Sequence, residues 1–328
     1  MGEVAKALII LGMHRSGTSA LAGQCASLGF WLGDDLLPAN AANPKGFFED
    51  LELMRADDRL VGLLFGGWAS PLSWSESASE VALDHPRIAE IVAGIRAILE
   101  RLGSKGQMWA VKEPRISRLL PLWWPLLRAM KVDARLIMAL RHPDEVAASL
   151  ARRDGLGPVT AKLMWLRHTA EPLVYAHEQG LPMAIMPYEI LLSAPERLTE
   201  TLARMGFAVQ AAGEGFVDPE LRHHRPAPAS AAMPPDDDPL SVRCATLYEA
   251  LMAHGAVSNW QDVPDEIVAL AREACELSVE PYLKDLYREW LGVSNLTQRL
   301  FYDARKARQQ AQQRARRHPL RRAPPPQK

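Results

Sequence analysis

An α/β fold, a three-layer sandwich built on a central mainly parallel sheet, is what this sequence predicts, and three observations carry the prediction. Short apolar runs alternate with segments of helical periodicity over the first two thirds of the chain, the pattern of a sheet covered on both faces. Each apolar run empties into a polar motif, as strands do where a parallel sheet presents its carboxyl edge to a ligand. After Gly206 the strand signals stop and only helical patterns follow, so a helical C-terminal segment is expected. With 48% hydrophobic and 23% charged residues in 328, the chain can bury a large core.

The elements follow in order. "KALIILG" (6–12), "MWAV" (108–111), "ARLIMAL" (134–140) and "PMAIM" (182–186) are the expected strands, each short and apolar. Helical spacing of apolar residues marks Ser16 to Leu28, Leu51 to Leu64, His85 to Leu102, Arg118 to Met130, Pro143 to Arg153, Val159 to Gln179 and Ala194 to Met205. Further helices are expected over 240–256, 263–277 and 281–315, preceded by the loop "RPAPASAAMPPDDDP". The expected division is a core over 1–225, a helical part over 226–298 packed on it, and a basic tail over 299–328.

Composition excludes several classes. Cys25, Cys244 and Cys275 are an odd, scattered set without C-x-x-C spacing, which suggests neither a disulfide framework nor a structural zinc site. The N-terminus lacks the pattern of a signal peptide, and no run of about 18 apolar residues suggests a membrane span, so a cytoplasmic protein is expected. Ten of the 38 basic residues, but only one of the 39 acidic ones, lie from Arg299 onward. That leaves 28 basic and 38 acidic residues before it, an acidic body with a basic tail. Such a tail is either a solvated helix fraying into "RRAPPPQK" or a contact for an anionic surface or partner.

The polar motifs carry the chemistry. "GMHRSGTS" (12–19) satisfies the P-loop spacing G-x-x-x-x-G except that Thr18 stands where lysine would. The nest of backbone N–H groups and the helix N-terminus that follows it are kept for an anion, with Arg15 as the cation. A tight strand-to-helix turn using glycine for its backbone freedom accounts for the same spacing. "KEPR" follows the second strand, "RHPDEVAAS" the third and "PYE" the fourth. Arg15, Arg115, Arg141, Lys112, Tyr188 and several carboxylates are thus expected at one crevice. Arg141 ends a strand and Ser149 lies about two turns into the next helix, so both can face one anion.

Together, "GMHRSGTS" and "R-H-P-x-x-x-x-x-S" (141–149) resemble the two donor-binding signatures of the sulfotransferase family, which takes a sulfuryl group from 3'-phosphoadenosine 5'-phosphosulfate (PAPS). The resemblance extends to "NPKGFFED" (43–50), "KEPR" (112–115), "PYEILLSAPERLTETLARMGF" (187–207) and "FVDPELRHHR" (216–225), spans roughly residues 5 to 225, and is nearest to the bacterial carbohydrate-type branch. It implies a P-loop-type fold and a metal-free sulfuryl transfer. In it Arg15, Ser16, Gly17, Thr18 and Ser19 hold the 5'-phosphosulfate, and Arg141 with Ser149 holds the 3'-phosphate. Tyr188 lies near the adenosine bisphosphate end, and Arg222 and Arg225 belong to a loop closing over the nucleotide; a sheet-edge tyrosine and a basic surface turn are the plain alternatives. Lys112 and Arg15 are implied at the bridging oxygen, and Glu49 is implied as the base for the acceptor hydroxyl. For Lys112 an ion pair with Glu113 or another acid, and for Glu49 helix-start electrostatics, are equally ordinary roles. His14 and His85 are weaker candidates for the base.

The acceptor implied is hydroxyl-bearing: a carbohydrate, glycolipid or secondary metabolite. Trp68, Trp74, Trp123 and Trp124 offer either stacking faces or core packing. Two alternatives stay open. A P-loop small-molecule kinase would share the first motif and would need a Mg-binding acid, for which Glu113 is the offer. A non-catalytic nucleotide or nucleic-acid binder would work through the basic tail.

Overall fold

The computed structural model describes residues 6–40, 43–74, 85–105, 108–209, 216, 238–257, 263–277, 279–283, 285, 286 and 289. The chain divides into two compact units, 1–280 and 281–328. Within the first, four strands form the sheet: β1 (Lys6–Leu11), β2 (Met108–Lys112), β3 (Asp133–Leu140) and β4 (Met183–Pro187). Their order is β2-β1-β3-β4 and every pairing is parallel, with Ile9 beside Val111 and Leu136, and Ile137 beside Ala184. Parallel strands need long crossovers, and helices supply them.

Those helices are α1 (Thr18–Ser27), α2 (Leu51–Phe65), α3 (Pro86–Gly103), α4 (Ile116–Ala129), α5 (Pro143–Asp154), α6 (Pro158–Glu178), α7 (Tyr188–Ser193), α8 (Glu196–Arg204), α9 (Pro239–Val257) and α10 (Asp265–Cys275). Their starts are written locally. Proline sits at the first turn of α3, α5 and α6, where its missing N–H costs nothing. Asp50 caps α2 by accepting from the N–H groups of Glu52 and Leu53, and Gly66 ends that helix in the left-handed region.

Both faces of the sheet are apolar because both are covered. On one, Leu8, Ile10, Ile137, Ala139, Ala184 and Met186 meet Leu21 and Cys25 of α1, Leu191 of α7, and Leu198 and Leu202 of α8. The alternate residues, among them Ile9, Val111, Met138 and Ile185, are equally buried. There α9 comes so close that a Cβ on Gly255 would stand 2.9 Å from Pro187. Helix α6 is buried almost all round and forms the centre of that layer. Truncating a core leucine such as Leu21 to alanine is expected to cost about 2–5 kcal/mol.

The expected strands and helices over the described residues are present, with ends displaced by about two residues. One element differs in kind: past the fourth strand the chain turns at once into the six-residue helix α7 at Tyr188. Residues 225–237 of the expected loop and nearly all of the helix expected over 281–315 lie outside the described residues, as do the basic tail and Arg222 and Arg225.

Candidate anion-binding site

The loop leaving β1 is shaped by contacts that only glycine admits. Gly12 has φ 128°, and a Cβ there would stand 2.5 Å from the carbonyl oxygen of Ala139 on β3. Gly17 has φ 89°, and a Cβ there would stand 2.4 Å from the ring of Tyr188. Arg15 between them takes φ 69°, a left-handed conformation uncommon for a side-chain-bearing residue. Ser117 of α4 ties the loop down, its Oγ accepting from the N–H of Gly12 at 2.9 Å. No side chain caps α1, so its first N–H groups are left for a ligand. With the helix dipole behind them they favour an anion.

Two signatures distant in sequence meet here. Arg15 Nε donates to Ser149 Oγ at 2.9 Å, and Arg141 Nη1 donates to the Arg15 carbonyl at 3.3 Å. Arg141 also pairs with Glu145 at 2.7 Å and lies over the Tyr188 ring at 4.8 Å. Trp165 Nε1 donates to the Arg141 carbonyl at 3.0 Å, which fixes the strand end from the α6 side. Arg15, Arg141 and Arg153 line one cavity of about 150 Å³ with Lys45 and Lys112. Burial, then Arg153 and Arg141, push the Arg15 guanidinium below its usual value. Crowded cations of this kind are relieved by an anion among them.

Lys112 and Glu49 form the opposite wall. Lys112 Nζ, almost fully buried, is ion-paired with Glu49 and donates to Phe47 O at 3.1 Å and Ser19 Oγ at 3.3 Å. Glu49 immediately precedes α2, whose cap is its neighbour Asp50, and its carboxylate is paired with Lys112. Glu113 is not the partner of Lys112; it takes Arg115 Nη1 at 2.6 Å and the Arg115 N–H at 3.1 Å. Phe216 closes the remaining side. Its N–H donates to Gln24 Oε1 at 3.0 Å, its carbonyl accepts from Lys45 Nζ at 2.8 Å, and its ring meets Phe48 edge-on at 5.2 Å.

Of the residues expected at the site, His14, Arg15, Gly17, Thr18, Ser19, Glu49, Lys112, Arg141 and Tyr188 line the cavity. Ser149 reaches it through Arg15, and Ser16 is buried in the turn. Sequence reasoning did not single out Lys45 and Arg153; the NPKGFFED motif held the first, while the second carries no signal beyond its position three residues after Leu150 on α5. His14 is buried against Trp68 at 5.2 Å and His168 at 6.0 Å, and burial with nearby cations keeps it neutral, its pKa held well below the usual histidine value. Trp123 belongs to the core, donating Nε1 to Asp57 at 2.9 Å.

The arrangement defines a class: a parallel sheet whose carboxyl edge carries a P-loop-type glycine turn, with Thr18 where a P-loop has lysine and with Arg15, Arg141 and Arg153 on the cavity beside it. Among solved structures, the chain is similar to the sulfotransferase domain of the olefin synthase of Synechococcus PCC 7002, with 16% identity, a TM-score of 0.40, and coverage of 84% of this chain and 97% of that one. No family model matches the chain, and no curated protein does.

Proposed function

We propose that the protein is a sulfotransferase, moving a sulfuryl group from PAPS to a hydroxyl of a carbohydrate, glycolipid or secondary metabolite. The observation that carries this reading is the bond between Arg15 and Ser149, with Arg141 on the Arg15 carbonyl. It brings two anion-binding signatures 134 residues apart onto one cavity, as a donor with a phosphosulfate at one end and a 3'-phosphate at the other requires. A triphosphate needs a different set. Thr18 replaces the lysine, and Glu113, the acid a kinase would turn toward Mg, has both oxygens committed to Arg115.

The acceptor oxygen attacks sulfur in line, the bond from sulfur to the bridging oxygen breaks, and adenosine 3',5'-bisphosphate leaves with the negative charge. Arg15, Lys112 and the α1 amides meet that charge already oriented, and preorganised donors stabilise it at no reorganisation cost. Glu49 takes the acceptor proton. Its ion pair with Lys112 holds it at the cavity wall, and as Lys112 turns to the leaving oxygen the carboxylate is released to act.

Thermal unfolding with adenosine 3',5'-bisphosphate, and separately with ATP and Mg, tests the reading. At about 100 times its dissociation constant a ligand adds roughly 2.7 kcal/mol, a rise of several degrees. The bisphosphate is expected to stabilise the wild type and to do nothing for Arg141→Ala. Stabilisation by ATP with Mg alone would replace this reading with the kinase.

A further inference from the structure

Under the wall formed by Lys112 and Glu49 lies a second pair of acids. Asp57, on α2 two turns past its start, is 0% exposed, and Glu113, the residue after β2, is 1% exposed. Glu113 faces the Asp57 carboxyl, and the two side chains interact directly. Asp57 Oδ1 accepts from Trp123 Nε1, but no donor among the described residues reaches its Oδ2. Glu113 is supplied by Arg115, which Asp58 also holds at 3.1 Å. Two buried carboxyl groups in contact, with one cation between them and that cation on Glu113, lack a donor for one oxygen; a proton on Asp57 is the donor that completes the set.

We infer that Asp57 and Glu113 share a proton, Asp57 donating through Oδ2 to Glu113, and that this bond pins α2 to the end of β2 so that Glu49 stays against Lys112. Asp57 is a positioning residue. It lines none of the cavity, yet it sits on the helix that begins directly after the Glu49–Asp50 pair and faces Glu113, the residue that follows Lys112. The groups facing the pair are few: Trp123 and Arg115 on Asp57, and Arg115, Glu49 and Lys112 on Glu113. Burial first, with the mutual repulsion of the pair, raises Asp57 well above the carboxylate range, and burial raises Glu113 to about 7 against the pull of Arg115. Their titrations belong to the pair.

The sign of the pH effect follows. A carboxyl group whose folded pKa is raised binds its proton more tightly folded than unfolded, so its contribution is complete below the unfolded carboxylate value and is lost as pH rises through the folded one. For Glu113 that loss runs from about pH 4.5 to about 7, and there the wild type should lose roughly 2–4 °C of melting temperature per pH unit. Asp57→Asn mimics the protonated form permanently, its amide still accepting from Trp123 and donating to Glu113. It should flatten that slope.

Two measurements on the full-length protein decide. Infrared difference spectra across pH 6 to 8 should show the C=O stretch of a protonated carboxylic acid in the wild type, fading with alkali and missing from D57N. Hydrogen exchange of residues 51–60, corrected for intrinsic rates, should speed up several-fold in the wild type on going to pH 8 and stay slow in D57N. Should D57N fail to fold, Glu113→Gln tests the same proton, with the same loss of the band expected. A wild type without a protonated carboxyl at pH 6, a band that persists in both variants, or identical pH slopes in wild type and variant would overturn the inference. Neither readout involves the donor or the acceptor, so the shared proton stands or falls apart from the proposed reaction.

Discussion

Lys112 and Glu113 are neighbours in the chain and live in opposite electrostatic circumstances. Lys112 ends β2 facing the cavity, where it neutralises Glu49 directly; Glu113 turns into the protein, where it meets a second acid, Asp57. Both sites bury a pair of ionisable groups, and burial penalises charge equally in each. What differs is the partner. Against a cation a carboxylate can stay ionised in the dark interior; against another carboxylate one of the two must keep its proton. The same strand end therefore holds a charge ready for chemistry on one side and a neutral bond useful for fixing a helix on the other.

The strongest way to break the contrast is to take Lys112 away. Lys112→Ala leaves Glu49 buried without its counter-charge, which costs about 3–5 kcal/mol when a buried pair is broken from one side. The melting temperature should drop by roughly 10 °C. Adding Glu49→Gln to that variant should restore much of the loss, because the uncompensated charge goes with it; a double variant no more stable than the single one would show that the pair is not coupled.

Glu49→Gln alone comes next. The amide keeps a hydrogen bond to Lys112 and removes the carboxylate proposed as the base. Turnover should fall on the order of 10²-fold or more, while the shift in melting temperature produced by adenosine 3',5'-bisphosphate is retained. Near-normal turnover would remove Glu49 from the mechanism.

The histidines give the comparison an acid side. His168, held to about 3 by burial, and His14, also well below the usual value, are neutral in the folded protein and charged when unfolded in acid. A base with a lowered folded pKa contributes stability that is present above its unfolded value near 6.5 and lost as pH falls below it. Each contributes up to about 1.4 kcal/mol per pH unit in that window. His168→Phe should remove the His168 share of the stability lost as pH falls from about 6.5, and leave the opposite slope that Asp57 and Glu113 contribute unchanged.

Much of this was legible in the sequence, for reasons that can be named. Strands such as "LIIL" and "LIMAL" are apolar throughout because the sheet is covered on both faces, and proline at the starts of α3, α5 and α6 announces the helices. Arg15, Arg141 and Ser149 were legible because a backbone nest and a strand-end arginine occupy fixed offsets within local motifs. The pairing of Lys112 was not. Glu113 stood adjacent and Glu49 stood 63 residues away, and only the packing of the α2 start against the end of β2 selects the distant acid. Asp57 was readable in part: its spacing to Leu53, Leu60, Val61 and Leu64 puts it, unlike the exposed Asp58, on the buried face of α2, but that spacing does not name Glu113 as the acid it meets. Helix α7 was missed because a six-residue helix without a capping side chain offers no periodicity to read.

The smallest perturbation is the sharpest test of the acid pair. Trp123→Phe deletes one N–H donor and three ring atoms from a fully buried side chain, so it should cost about 1–2 kcal/mol, a few degrees. Its electrostatic effect is more specific than its cost. The indole N–H favours ionised Asp57, being a donor to the carboxylate, and losing it raises the Asp57 pKa further. The protonated carboxyl band should then survive to higher pH than in the wild type, the reverse of its disappearance in D57N. The pair of Lys112 and Glu49 does not touch Trp123, so bisphosphate binding should not move. A band that fades at the same pH with and without the indole would mean that Asp57 is not the acid that carries the proton.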